Sequence, residues 1–293
     1  MTLAELVVLV LKVSIAMMVF SVGLGTRPSE LTTLLRVPAK LVGSLVSMNL
    51  VMLAIALALA LLLPLHHAVK VVLIALALSP VPPILPRKLI RAGGGHDYVM
   101  ALLFSASVFA IFWIPFAAVV LNRFFPADIR IPPLAIARLV SMTVLGPTLA
   151  GVLVGAAAPR VAARLAGPLG KVAGLLLLAG AGLLIAKAAP AMMALVGDGT
   201  LLAIALFVLL GLVVGHLIGG PGPGDRSVLA LATACRHPGV ALGVARLVFP
   251  TEQATAAAVL LYLIVSLVAT TPYVAWRRKA LTPEAPLTAT PAR

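Results

Sequence analysis

Long apolar runs separated by short polar stretches dominate the chain. Nine runs stand out, at about 3–23, 41–63, 68–85, 97–121, 133–156, 169–187, 200–219, 227–248 and 254–276. Most are near the roughly 20 apolar residues that an α-helix needs to cross a bilayer. None alternates in polarity over about ten residues, as a transmembrane β-strand does. The pattern predicts an all-α polytopic membrane protein with about nine transmembrane helices.

Two of the runs are interrupted. The third passes into Ser79-Pro80-Val81-Pro82-Pro83-Ile84-Leu85-Pro86. Proline has no N–H and its ring clashes one turn back, so a helix cannot continue through this segment. The eighth holds Cys235-Arg236-His237-Pro238-Gly239 near its centre, with apolar residues on both sides. Irregular backbone at membrane depth survives only inside protein or beside a water-filled cavity; the other reading of Ser79–Pro86 is an extracellular or cytoplasmic loop after a short helix. The breaks also occupy matching places. The starts of the second and seventh runs, the two breaks at Pro80 and Pro238, and the starts of the fourth and ninth runs are offset by 159, 158 and 157 positions. This predicts an internal repeat of about 158 residues, its copies at about 1–122 and 165–277. The unit holds an odd number of spans, so the second copy is inverted. Inverted repeats with paired interrupted helices point to the midplane site of a secondary transporter.

Composition agrees. Of 293 residues, 62% are hydrophobic and 10% charged, and mean hydropathy is +1.18. A soluble domain carries about 25% charged residues, so hydrocarbon is the solvent for most of this surface. One transporter domain at 1–281 is expected, with a disordered cytoplasmic tail at 282–293, rich in Pro, Thr and Ala. The net charge of +14 would suggest nucleic acid in a soluble protein. Here the cations sit in short clusters between spans, without interleaved aromatics, where they set orientation and touch anionic lipid. No nucleic-acid partner is expected.

Alternate assignment of the loops puts fourteen Lys and Arg on one face, from Arg27, Arg36 and Lys40 to Arg277, Arg278, Lys279 and Arg293. The other face has four, Lys70, Arg123, Arg130 and Lys187. Cytoplasmic loops carry the excess. The N-terminus is then outside and the C-terminus cytoplasmic, in the cell membrane. The segment after Met1 has no basic start and no Ala-x-Ala site, so it is expected to stay as a first span.

The sharpest candidate site is Arg236-His237. A charge at the bilayer centre costs about 2.5–3.5 kcal/mol on insertion scales, so it faces a cavity and has a partner. One reading has Arg236 neutralise an anionic substrate group, with His237 as hydrogen-bond donor or proton acceptor. The other has Arg236 cap carbonyls left free by Pro238. Ser79, Pro80, Pro82, Pro83, Thr233, Pro238 and Gly239 border the two breaks and complete the candidate substrate site. Ser105 and Ser107 in the fourth run either line it or bond back to their own helix. Lys12 is expected to snorkel or meet Glu5, while Arg138 and Arg246 are expected at interfaces. Gly93-Gly94-Gly95 lacks the Lys-Ser/Thr of a phosphate loop and reads as a flexible hinge.

Enzymatic classes find little support. No His, Cys, Asp or Glu cluster has metal spacing, no catalytic triad or acid pair is placed for hydrolysis, and none of the eight acidic residues lies securely inside a run. One cysteine excludes an intramolecular disulfide. No cofactor is expected, coupling to sodium or protons aside.

At its breaks the chain resembles the bile acid:sodium symporter family. Phe20-Ser-Val-Gly-Leu24 is similar to that family's Phe-x-Met-Gly-Leu. Pro80 with the charged turn and the Gly93–Asp97 linker is similar to its first interrupted helix, and Gly239-Val-Ala-Leu to the end of its second. The resemblance implies nine or ten spans, two broken helices crossing at the centre, a panel of other helices, and transport of an organic anion by alternating access. Departures concentrate at the breaks. Val81-Pro82 stands for the family's Gly-Gly and Leu85-Pro86 for its Ser-Asn. Ala232, Arg236 and His237 stand for its Glu, Gln and Asn. Ser105 is the oxygen retained from the helix after the first break, and Ala101 replaces a serine there. Most sodium ligands are thus replaced and a cation added, so binding insensitive to sodium is expected. Rival readings are an auxin-efflux-carrier type of transporter and a non-transporting receptor or inactive paralogue. Oligomeric state is not legible.

Overall fold

The computed structural model describes residues 3–281 apart from 83, 125–132, 198 and 249–253. Helices form wherever an apolar run is uninterrupted, because in hydrocarbon each backbone N–H and C=O must be satisfied within its own segment. The first, α1, is Leu3–Leu24, and α2 is Pro38–Leu62. Helices α3, His67–Leu78, and α4, Leu85–Arg91, flank the first break. Next come α5, His96–Phe124, and α6, which runs from Pro133–Val140 through a π turn at Ser141–Leu145 into Gly146–Ala157. The 36-residue α7 is Pro159–Ala194 and α8 is Thr200–Ile218. Helices α9, Pro223–Ala234, and α10, Pro238–Val248, flank the second break, and α11 is Ala254–Leu281.

Among the described residues there is no strand. Seven helices are long and apolar enough to cross a membrane, or eight if α1 and the segment Pro28–Arg36, bent 93° away from it, count as one span. The predicted runs fall on these helices with two adjustments. The run at 68–85 ceases to be helical at Leu78, where the prolines begin. The run at 169–187 extends at both ends into α7. The tail at 282–293 lies outside the described residues.

The helices form two groups. Helix α1 packs on α6 and α7, which also touch each other. The rest surround the breaks: α8 packs on α9, α11 and α2, while α11 also touches α3, α9 and α10; the groups join where α7 packs on α11 and α6 on α5. Small residues allow these crossings, as expected where lipid provides no hydrophobic drive between helices. A Cβ on Gly23 would lie 2.3 Å from the Thr148 carbonyl oxygen, and one on Gly151 2.3 Å from that of Phe20, so α1 and α6 meet backbone to backbone. Gly211 and Gly215 of α8 and Gly219, which caps it, are spaced by four and meet the main chain of α9 at Ala234, Leu229–Ala230 and Arg226 in the same way.

The glycine run is a packed turn, not the flexible hinge expected of it. Gly93 has φ +90°, a Cβ on Gly94 would meet a Val228 methyl at 2.3 Å, and one on Gly224 would meet the Gly93 carbonyl oxygen at 2.3 Å. The start of α9 rests directly on this turn, and larger residues would separate them. Lys12, Arg138 and Arg246 are exposed. The Glu5 side chain is outside the described residues.

Candidate functional site

The two breaks touch. Ser79 is extended, with φ −75° and ψ 148°, because a residue before proline is pushed out of the helical region. Cys235 is extended likewise, with φ −94° and ψ 115°. His237 N–H donates to the Pro80 carbonyl at 2.9 Å and to Ser79 Oγ at 3.1 Å. Arg236 Nε donates to the Leu76 carbonyl at 3.0 Å and Nη2 to that of Ala77. These contacts join positions 157 to 160 apart, close to the repeat offset read from the sequence. On either side of the seam α10 packs on α3 and α9 on α4, so the broken helices cross.

Arg236 therefore does cap carbonyls, but not those freed by Pro238. Leu76 and Ala77 belong to the last turn of α3, whose carbonyls have no partner within the helix; that of Leu76 also accepts from the N–H of the capping Ser79 at 2.9 Å. The end of α9 is closed by Tyr262, whose hydroxyl accepts from Arg236 N–H at 2.6 Å and donates to the Ala234 carbonyl at 3.1 Å.

Arg236 is 1% exposed and has no carboxylate partner among the described ion pairs. Glu30 engages Arg27 N–H and His96, Asp97 lies beside His96, and Asp225 engages Lys40 at 2.7 Å. One guanidinium nitrogen, Nη1, has no hydrogen-bond partner, and neither has Nε2 of the equally buried His237. His237 Nδ1 accepts from Val240 N–H at 3.3 Å, capping the start of α10. That bond puts the neutral ring's proton on Nε2. The seam thus holds two buried donors without acceptors.

The remaining candidates divide. Pro82 is buried and its carbonyl starts α4 by accepting from Leu85 N–H at 3.0 Å. Pro83 lies outside the described residues. Pro238 opens α10. Gly239 sits against the His237 ring and Ile15 of α1, since a Cβ there would be 3.2 Å from His237 Cε1 and 3.3 Å from Ile15 Cδ1. Thr233 pairs with Ser47 of α2 at 2.8 Å, both fully buried. Ser105 is half-buried on α5. Ser107 bonds back to the Leu103 carbonyl at 2.8 Å and also lines a cavity of about 30 Å³ with Val81, Thr26, Met100, Val144 and Thr148. This cavity lies between the α1–α6 pair and α5, two residues from Ser79, and is large enough for water only.

Other polar groups were not singled out beforehand. Tyr262, Ser266 and Thr270 recur every four residues along α11 and face the second break and α4. Ser266 Oγ donates to Cys235 Sγ at 3.9 Å, Thr270 Oγ1 to the Ser266 carbonyl at 2.5 Å, and Lys88 Nζ to Thr270 Oγ1. Their spacing was a readable signal. Ser47 lies in a π turn, Val46–Val51, which periodicity does not reveal. Glu30, His96 and Asp97 come within 4.8 Å of one another as a possible cation site. Chain folding assembles it, which is why residue spacing did not show it.

An all-α membrane protein whose two interrupted helices meet at a buried, charged seam has the architecture of a secondary transporter. The model of the sodium bile acid symporter family matches residues 12–195. The chain belongs to that family, whose members are transporters. The match takes in the first break and all of α7, and the second break lies beyond it. No curated protein matches the chain.

Proposed function

We propose that the protein is a secondary carrier of a small organic anion, working by alternating access without a bound sodium ion. The observation that carries this reading is the pair of buried donors, Arg236 Nη1 and His237 Nε2, that have no acceptor. A buried charged donor left unpaired costs more than about 1–3 kcal/mol, and such an exception in a native structure calls for an explanation, which a functional role or a bound ion or water can supply. Two donors beside an unbalanced positive charge suit a carboxylate or sulfonate, which a guanidinium can hold in a fixed orientation. Contacts at separations near 158 support an inverted repeat whose axis passes through the seam. The α1–α6–α7 group is then the panel against which the crossed helices rock, and the cavity at Val81 lies along their boundary. We place the N-terminus outside and the C-terminus in the cytoplasm.

The test compares binding of a matched acid and its neutral amide to the purified protein. The acid should bind more tightly by a few kcal/mol, the scale of breaking one side of a buried charge pair. Arg236→Gln should abolish the difference without restoring a sodium response. Equal affinity for acid and amide in the wild type would leave Arg236 a cap alone. Saturable uptake into vesicles, lost in Arg236→Ala, separates a carrier from a non-transporting receptor.

A further inference from the structure

We infer that the Arg236 guanidinium is a tethered replacement for a coupling cation, built into the chain at the open end of α3. This rests on the carrier reading but concerns a different face of the same side chain. Helix α3 stops at Leu78 because Pro80 and Pro82 follow, and it ends buried. The end of a helix carries unpaired carbonyls and about half a negative charge. In carriers with interrupted helices, such half-helix ends and the adjoining unwound carbonyls are where sodium ions or protons are held.

Here the Leu76 and Ala77 carbonyls accept from Arg236 Nε and Nη2. The Pro80 carbonyl accepts from His237 N–H. Ser79 Oγ donates to the Leu76 carbonyl at 2.8 Å while accepting from His237 N–H. The oxygens that would surround a cation are therefore bonded to one residue's guanidinium and its neighbour's amide, with the Leu76 carbonyl shared also with the Ser79 N–H and hydroxyl. The guanidinium supplies the single positive charge that an alkali ion would bring. Unlike an ion it cannot leave, so the seam keeps its charge through every conformation and no ion gradient acts there.

The experiment is thermal melting of the purified full-length protein in sodium, potassium and choline chloride at equal ionic strength, with and without millimolar methylguanidinium. Wild type should melt at one temperature in all three salts and ignore methylguanidinium. Arg236→Ala should melt several degrees lower and be raised saturably by methylguanidinium, which can reoccupy the vacated end of α3. Arg236→Lys keeps the charge and should melt near wild type, indifferent to sodium. It carries the test should the alanine variant not fold. A saturable sodium stabilisation of wild type or of Arg236→Lys would overturn the inference. So would an alanine variant that folds but does not respond to methylguanidinium. None of these readouts uses a substrate, so a failed acid–amide comparison leaves them standing, and their failure leaves the anion reading to its own test.

Discussion

Gly215 is the point on α8 where the smallest possible addition should do most damage. A Cβ there would lie 2.5 Å from the Leu229 carbonyl oxygen, 2.6 Å from Ala230 Cα and 2.7 Å from the Leu229 carbonyl carbon. All three are main-chain atoms, so no side-chain rotation relieves them. Moving the nearest pair from 2.5 Å to the 3.4 Å at which ordinary contact begins requires the helices to separate by about 0.9 Å. Overpacking of this kind costs about 1–3 kcal/mol, and a clash with backbone alone belongs at the upper end. Alanine returns up to about 1 kcal/mol in helix propensity over glycine. The net expectation for Gly215→Ala is a loss of about 2 kcal/mol, which lowers the melting midpoint by several degrees in a chain of this size. The assay is melting of the purified protein beside Gly182→Ala on α7, where a Cβ would meet nothing within 4 Å. That control should melt at or slightly above wild type. If the two variants melt together, the backbone-to-backbone crossing of α8 and α9 does not hold the second break in place and the argument fails.

Thr233→Val should leave the buried Ser47 hydroxyl without its 2.8 Å partner and cost about 1–3 kcal/mol. The double variant with Ser47→Ala should cost less than the two single changes summed, and strict additivity in a melting cycle would deny the bond between α2 and α9. A reporter fused after Arg293 should be active in the cytoplasm alone, as the loop charges require. Activity on the other side would reverse the proposed orientation.

Much of this architecture was legible because a membrane span needs a long apolar run, and such runs have few other readings. The breaks were legible for a related reason, since four prolines and an Arg-His-Pro step are conspicuous against such a background. That the breaks meet was implied by the family resemblance, and the matching offsets agree with it. What Arg236 does with its donors was not legible, because the acceptors at Leu76 and Ala77 lie about 160 residues away and are backbone atoms, which every residue has. The same holds for Tyr262, whose hydroxyl closes α9. Ser47 was hidden by a π turn that shifts the helical register. The Gly93–Gly95 run was misjudged because a glycine needed for close approach and one needed for flexibility look alike in a sequence. The partner that decides between them, Gly224, is far along the chain.

Cys235 is the chain's one cysteine, 6% exposed and adjacent to Arg236. A maleimide therefore has a single atom to attack, and the natural sequence serves as its own labelling reagent without any cysteine being removed. Reaction needs both a thiolate and access, and while the seam is shut the sulfur offers little access. On the proposed alternating-access reading, alkylation requires the crossed helices to part, so its rate follows how often, or for what fraction of the time, they are open. A compound that lengthens or shortens the open interval would announce itself as a faster or slower clock, before anyone knows what it is.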